Sequence, residues 1–250
     1  MTITNQKNFV FFALCFIALI LPGCNYSNPQ DLKEKYSVEA INYFYETVFY
    51  EDYVGRFDVC KKWDKDLYFY VNGDFSAYDA DDIQSVVSYL NSLDLPINFY
   101  TASDSSSANV SVFYGSYPYL EERMGLKNRK YEPFAGVGYT HKSNSEIEWA
   151  KVGIANDARK YKRVSKQDST TLRYHILLEE SVQILGVTGD SWHYPHSSFF
   201  EGAGLNSTLS DIDKEVVKLL YEPSIPLRYT RQQFEKDFGD VLYHVNAPQK

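Results

Sequence analysis

Apolar residues along this chain recur with two periods, and the alternation between them predicts a mixed sheet with helices packed on it. Over residues 38–49, Ile41, Phe44, Tyr45, Val48 and Phe49 fall at helical spacing, giving a helix with an aromatic face. Residues 67–71 have strand character and stop at the turn residues Asn72, Gly73 and Asp74. Asp79 then stands as the cap of a helix whose Ile83, Val86, Val87, Leu90 and Leu93 share one face, closed by Leu95 and Pro96. Strands are predicted over 97–101 and 110–114, with the polar run 104–107 between them, and again over 136–140 and 147–155. Residues 117–134 read as a long surface excursion. A strongly apolar helix follows over 171–186, and Leu209-Ser210-Asp211-Ile212-Asp213 opens a final one that ends in Leu219-Leu220-Tyr221-Glu222-Pro223.

The N-terminal pattern is different. Lys7 precedes an uncharged apolar run over 9–21, which ends in Leu21-Pro22-Gly23-Cys24. A spanning helix needs about 20 apolar residues, so this shorter run is expected to be the core of an export signal. The segment resembles bacterial lipoprotein signals, and that resemblance implies lipid, palmitate included, on the thiol and amine of Cys24. Several acyl chains hold a protein to a bilayer stably where one does not. The expected organisation is a signal peptide over 1–23, a flexible lipidated tether over 24–35 and a single domain over 36–250, placed in the cell envelope outside the cytoplasm. The tether is polar, carries Pro29 and shows no periodicity.

Composition narrows the picture in three respects. The formal net charge of −8 comes without a basic cluster, so nucleic acid is not an expected partner. Of the three cysteines, Cys15 leaves with the signal and Cys24 is acylated, so Cys60 has no partner for an intramolecular disulfide and is expected to be buried and inert. The 22 tyrosines suggest a platform for sugar rings, yet Tyr68, Tyr70, Tyr100 and Tyr114 fall in predicted strands, where aromatic rings simply pack well.

Candidate chemistry lies on the helix over 171–186. At about 100° per residue, His175, Glu179 and Gln183 share one face of it. This stretch resembles the zinc helix of the metzincin peptidases, His-Glu-x-x-His-x-x-Gly-x-x-His, laid on residues 179–189. Glu180 takes the place of the catalytic glutamate and Gly186 that of the helix-breaking glycine, while the three zinc-ligand places hold Glu179, Gln183 and Gly189. Ser198-Phe199-Phe200 lies in the region of that family's methionine turn, without its methionine. The chain is also similar to the bacterial domain of unknown function 2927, whose helix runs Glu-Glu-x-x-Gln-x-Leu-Gly. Glu179, Glu180, Gln183, Leu185 and Gly186 reproduce that run, and Asp190-Ser191, Ser198-Phe199-Phe200 and Leu220-Tyr221-Glu222-Pro223 continue it in order. The resemblance spans residues 58–226 and implies an α+β, metzincin-like (zincin) domain, a mixed twisted sheet packed against a central helix with a degenerate zinc motif.

A catalytic zinc needs about three protein ligands and an open position for water. Gly189 offers no side chain and the Gln183 carbonyl is a weak neutral donor, so Glu179 would stand alone. Glu180 then has no metal-activated water to work with, and no cofactor is expected. The reading is a pseudopeptidase, a non-catalytic binding or structural module held to the membrane through lipid on Cys24, with an extended peptide or envelope protein as partner. In metzincins an edge strand before the zinc helix receives extended peptide, and residues 136–140 or 147–155 are the candidates here. The alternative is a divergent hydrolase or metallopeptidase that uses Glu180 with a relocated metal site built from His175, Glu179, His193 and His196. Adjacent Glu179 and Glu180 diverge on a helix, so they do not flank one bond as paired glycosidase acids do. Neither a nucleophile elbow nor a phosphate-loop signature is present in the sequence.

Overall fold

The computed structural model describes residues 28–51, 55–56, 58–125, 135–156, 166–200 and 206–243. The expected signal peptide and Cys24 lie outside the described residues. The chain opens with helices α1 (Pro29–Lys35) and α2 (Val38–Val48), a two-stranded ribbon of β1 (Tyr50–Glu51) and β2 (Gly55–Arg56), then strand β3 (Leu67–Gly73). Helix α3 (Ala77–Asn91), strands β4 (Phe99–Thr101) and β5 (Val110–Gly115), and helix α4 (Tyr117–Met124) follow. Strands β6 (Ala135–His141) and β7 (Ile147–Ala155) lead into α5 (Lys166–Gln183), and α6 (Asp211–Leu220) and α7 (Arg231–Phe238) close the described chain. The α+β class is as expected.

The five longer strands form one mixed sheet in the order β4-β3-β5-β7-β6, parallel except for β6, which runs antiparallel to β7. Period-two alternation sets its faces: Leu67, Phe69, Phe99, Val110, Val112, Ala150, Val152 and Ile154 are buried, whereas Tyr68 and Tyr100 are exposed and stacked on each other. Helices α3 and α5 pack together, with α3 against β4 and α5 against β6 and β7. Helix α4 lies against β5, β7 and β6, and a Cβ at Gly153 would meet Met124 at 3.1 Å. The remaining helices gather separately, α2 against α6 and α7, and α1 against α7. One contiguous core joins both halves, including a stack of Phe44, Phe234 and Phe238.

Several expectations are corrected. The tether over 24–35 is helical from Pro29, because Asn28 and Asp31 form a capping box and Pro29 sits where its missing N–H costs nothing. Ser76, not Asp79, caps α3, and Asp79 reaches back to the Ser76 N–H at 2.8 Å. The excursion over 117–134 begins as α4, and residues 126–134 lie outside the described residues. Helix α6 is not the last, since Thr230 and Gln233 form a further capping box that starts α7. Cys60 is buried as expected, and burial pushes its thiol up in pKa. Among the described residues no helix is long and apolar enough to cross a membrane.

Candidate functional site

Helix α5 brings His175, Glu179, Glu180 and Gln183 into the middle of the fold. It starts earlier than the apolar pattern suggests, at Lys166, and its regular turns end at Gln183. Gly186 then turns the chain with φ +115°, and a Cβ there would lie 1.9 Å from the carbonyl oxygen of Lys61. That approach sets the last carbonyls of the helix end against two donors. Trp63 Nε1 donates to Ile184 O at 2.7 Å, and Tyr221 Oη donates to Leu185 O at 3.1 Å. Both rings are buried, so carbonyls that a helix end leaves unpaired are satisfied without water.

The residues that the sequence resemblance lays on zinc-ligand places are engaged in structural contacts. Glu179 faces His175 one turn back, Oε2 to Nε2 at 3.5 Å, and His175 Nδ1 is 3.0 Å from Asn206 O. The Gln183 amide donates to Asp190 Oδ1 at 3.1 Å. Gly189 donates its backbone N–H to Thr47 O at 2.8 Å, tying the loop to α2. Glu180, in the place of the general base, is buried. One carboxylate, one amide and one glycine do not make a zinc donor set, because the amide oxygen is a weak donor and the glycine supplies none.

His193 and His196 sit elsewhere. His193 is exposed, with Nδ1 2.8 Å from Glu46 Oε2, and Ser191 Oγ donates to the same oxygen at 2.7 Å. His196 is exposed and its carbonyl accepts from Asn206 Nδ2 at 3.1 Å. Among the described residues no three His, Cys, Asp or Glu side chains gather where they could share a metal ion, so His175, Glu179, His193 and His196 do not form one cluster.

The stretch resembling the methionine turn is held from beneath by Asp213 at the head of α6. Its Oδ1 accepts from Ser197 Oγ at 2.5 Å, and its Oδ2 accepts from the N–H groups of Ser198 and Ser210, each at 2.9 Å. Tyr43 Oη shares a 2.6 Å hydrogen bond with Ser197 Oγ, and burial drives the phenol well above its usual pKa. Phe199 is fully buried over this network. Sequence reasoning missed Glu46 and the role of Asp213, because both act across more than a dozen residues and only Asp213 carries a local signal, its capping box with Ser210. It also offered 147–155 as an edge. Strand β7 is interior, paired on both sides, and among the described residues the edge strand beside α5 is β6.

The profile of the family described as "Protein of unknown function (DUF2927)" matches residues 37–238, and the chain belongs to that family. No curated protein matches. Two solved structures of myroilysin are similar in backbone course. One aligns at TM-score 0.37 and 12% identity over 66% of this chain and 98% of that chain, the other at TM-score 0.39 and 13% identity over 64% and 86%.

Proposed function

We propose that this member of the DUF2927 family is a lipid-anchored, non-catalytic binding module of the cell envelope, built on a peptidase-like frame whose former ligand places now serve structure. The observation that carries this is the use made of those places: the Gln183 amide is spent on Asp190 and the Gly189 N–H on Thr47. Glu180 has no metal-bound water to activate, and general-base chemistry alone leaves the developing oxyanion without its electrophile. What such a frame keeps is the edge strand β6 beside α5, where an extended peptide could pair by its main chain.

Anchoring through Cys24 rests on the signal-like run and the Leu21-Pro22-Gly23-Cys24 sequence. Two measurements test the whole reading. Labelled palmitate should enter the chain in a lipoprotein-processing bacterium and fail to enter Cys24→Ala. The purified chain should release no peptide from an unfolded protein substrate, with or without added zinc. Zinc-dependent, chelator-sensitive cleavage that disappears in Glu180→Gln would overturn the non-catalytic assignment.

A further inference from the structure

Helix α1 begins at Pro29, and its cap Asn28, four residues after Cys24, is already fixed: Asn28 Oδ1 accepts from the Gln30 N–H and its own N–H donates to Asp31. Four residue steps span at most about 14 Å. A domain of this length has a radius of gyration near 17 Å, hence a radius of roughly 22 Å. A sphere of that size, tied at its surface by so short a link, can tip by no more than about 70° before its attachment point outruns the tether. Attachment at α1 therefore keeps the α1 end on the membrane-facing half at all times.

The surface around that end presents charged side chains and one exposed aromatic ring. Lys33 on α1 binds Asp240 just past α7 at 2.5 Å and lies over the Phe238 ring, so the C-terminus of α7 sits beside α1. Three residues further, Tyr243 is exposed, its backbone N–H held by Asn42 Oδ1 at 2.5 Å. An exposed tyrosine has an apolar ring and a polar tip, the combination favoured where a bilayer meets water. Lys33 and Lys35 here are paired with Asp240 and Glu222, and Asp31, Glu34 and Asp237 stand near them with Lys236, so the surface offers no basic patch to anionic lipid and the inference does not call on one.

We infer that α1, the end of α7 and Tyr243 form a docking surface for the lipid bilayer that holds the acyl chains of Cys24, and that the sheet half of the fold faces away from it. The inference rests on the lipoprotein reading above. It leaves β6 and the Tyr68–Tyr100 pair directed toward the surroundings, where a partner could reach them.

The test uses the full chain expressed in a lipoprotein-processing bacterium, with a fluorescent amino acid placed by stop-codon suppression at position 243 or at position 100. Each protein is weighed by mass spectrometry and reconstituted into phosphatidylcholine vesicles that carry a headgroup spin label. Several-fold stronger quenching at position 243 than at 100 is expected. A long Gly/Ser insertion after residue 25 should sharply reduce that difference. Equal quenching from an acylated, uninserted chain overturns the docking surface alone, whereas a mass without acyl chains overturns both readings.

Discussion

Gly186 holds its place because the carbonyl oxygen of Lys61 stands where a side chain would begin, 1.9 Å from the position of a Cβ. The backbone there is also left-handed, at φ +115°. Gly186 is thus required by packing, since the close approach of the 61–63 segment brings Trp63 and Tyr221 onto Ile184 O and Leu185 O.

Gly186→Ala should therefore destabilise the fold by about 3 kcal/mol or more, adding the conformational cost to that of a backbone clash. Urea denaturation of the two proteins measures it. A loss under about 1 kcal/mol would show that the 61–63 segment moves aside at little cost.

The sheet was legible because Leu67, Phe69, Val110 and Val112 alternate with residues facing the other way, and period two reports which face is buried. It does not report neighbours, so nothing in residues 147–155 revealed that β7 lies between β5 and β6. Helix α4 was hidden because Leu120 is the one fully buried apolar residue among its eight positions. Glu46 was hidden for another reason. Its partners Ser191 and His193 lie some 145 residues away, and only the fold makes them neighbours.

Asp213 carries three hydrogen bonds from two segments while fully buried. Asp213→Ala strands the Ser197 hydroxyl and the N–H groups of Ser198 and Ser210, and it also removes half of a capping box. The expected loss is about 3 to 5 kcal/mol. A thermal melt will show it, and Asp213→Asn should recover part of it by keeping one acceptor. Equal melting of the alanine variant and the parent would mean that water replaces the carboxylate there.

Lys62 gives a pH-dependent signature. Its ammonium is buried against Leu220 O and Ile225 O, and burial lowers its pKa from 10.5 to about 8. Between those values the unfolded chain binds more protons than the folded one, so this group makes the fold more stable as pH rises from about 8. Cys60 works in the opposite sense over the same range, because burial raises its pKa and its unfolded thiol ionises first. The useful quantity is therefore the difference between the parent and Lys62→Met, taken from urea midpoints at pH 7.5 and 9.5. That difference should shift in favour of the parent by about 1 to 2 kcal/mol on raising the pH, allowing for the discount that partial solvation imposes. No shift, or one of opposite sign, would mean that the ammonium is solvated in the fold.

Strand β6 pairs with β7 through Val137↔Val152, Gly138↔Lys151 and Tyr139↔Ala150, and its other side meets no strand among the described residues. In an antiparallel pair the residues alternate, one set directing N–H and C=O at the partner strand and the other directing them outward. Proline at Gly138 and at Tyr139 samples the two sets, so one variant must break the sheet and the other must remove an outward donor. Gly138 has open space for a side chain, and the register is irregular between Thr140 and His141, which interrupts regular main-chain pairing at the far end of the strand. The stretch open to a partner is therefore short, and each of its donors matters. With an extended peptide selected from a displayed library against the purified chain, the variant that keeps its circular dichroism spectrum should bind about tenfold or more weakly, the loss of one main-chain hydrogen bond plus the steric effect of the ring. If the folded variant binds that peptide as tightly as the parent, the peptide does not add to β6, and the groove must be sought on the side-chain face of the sheet instead.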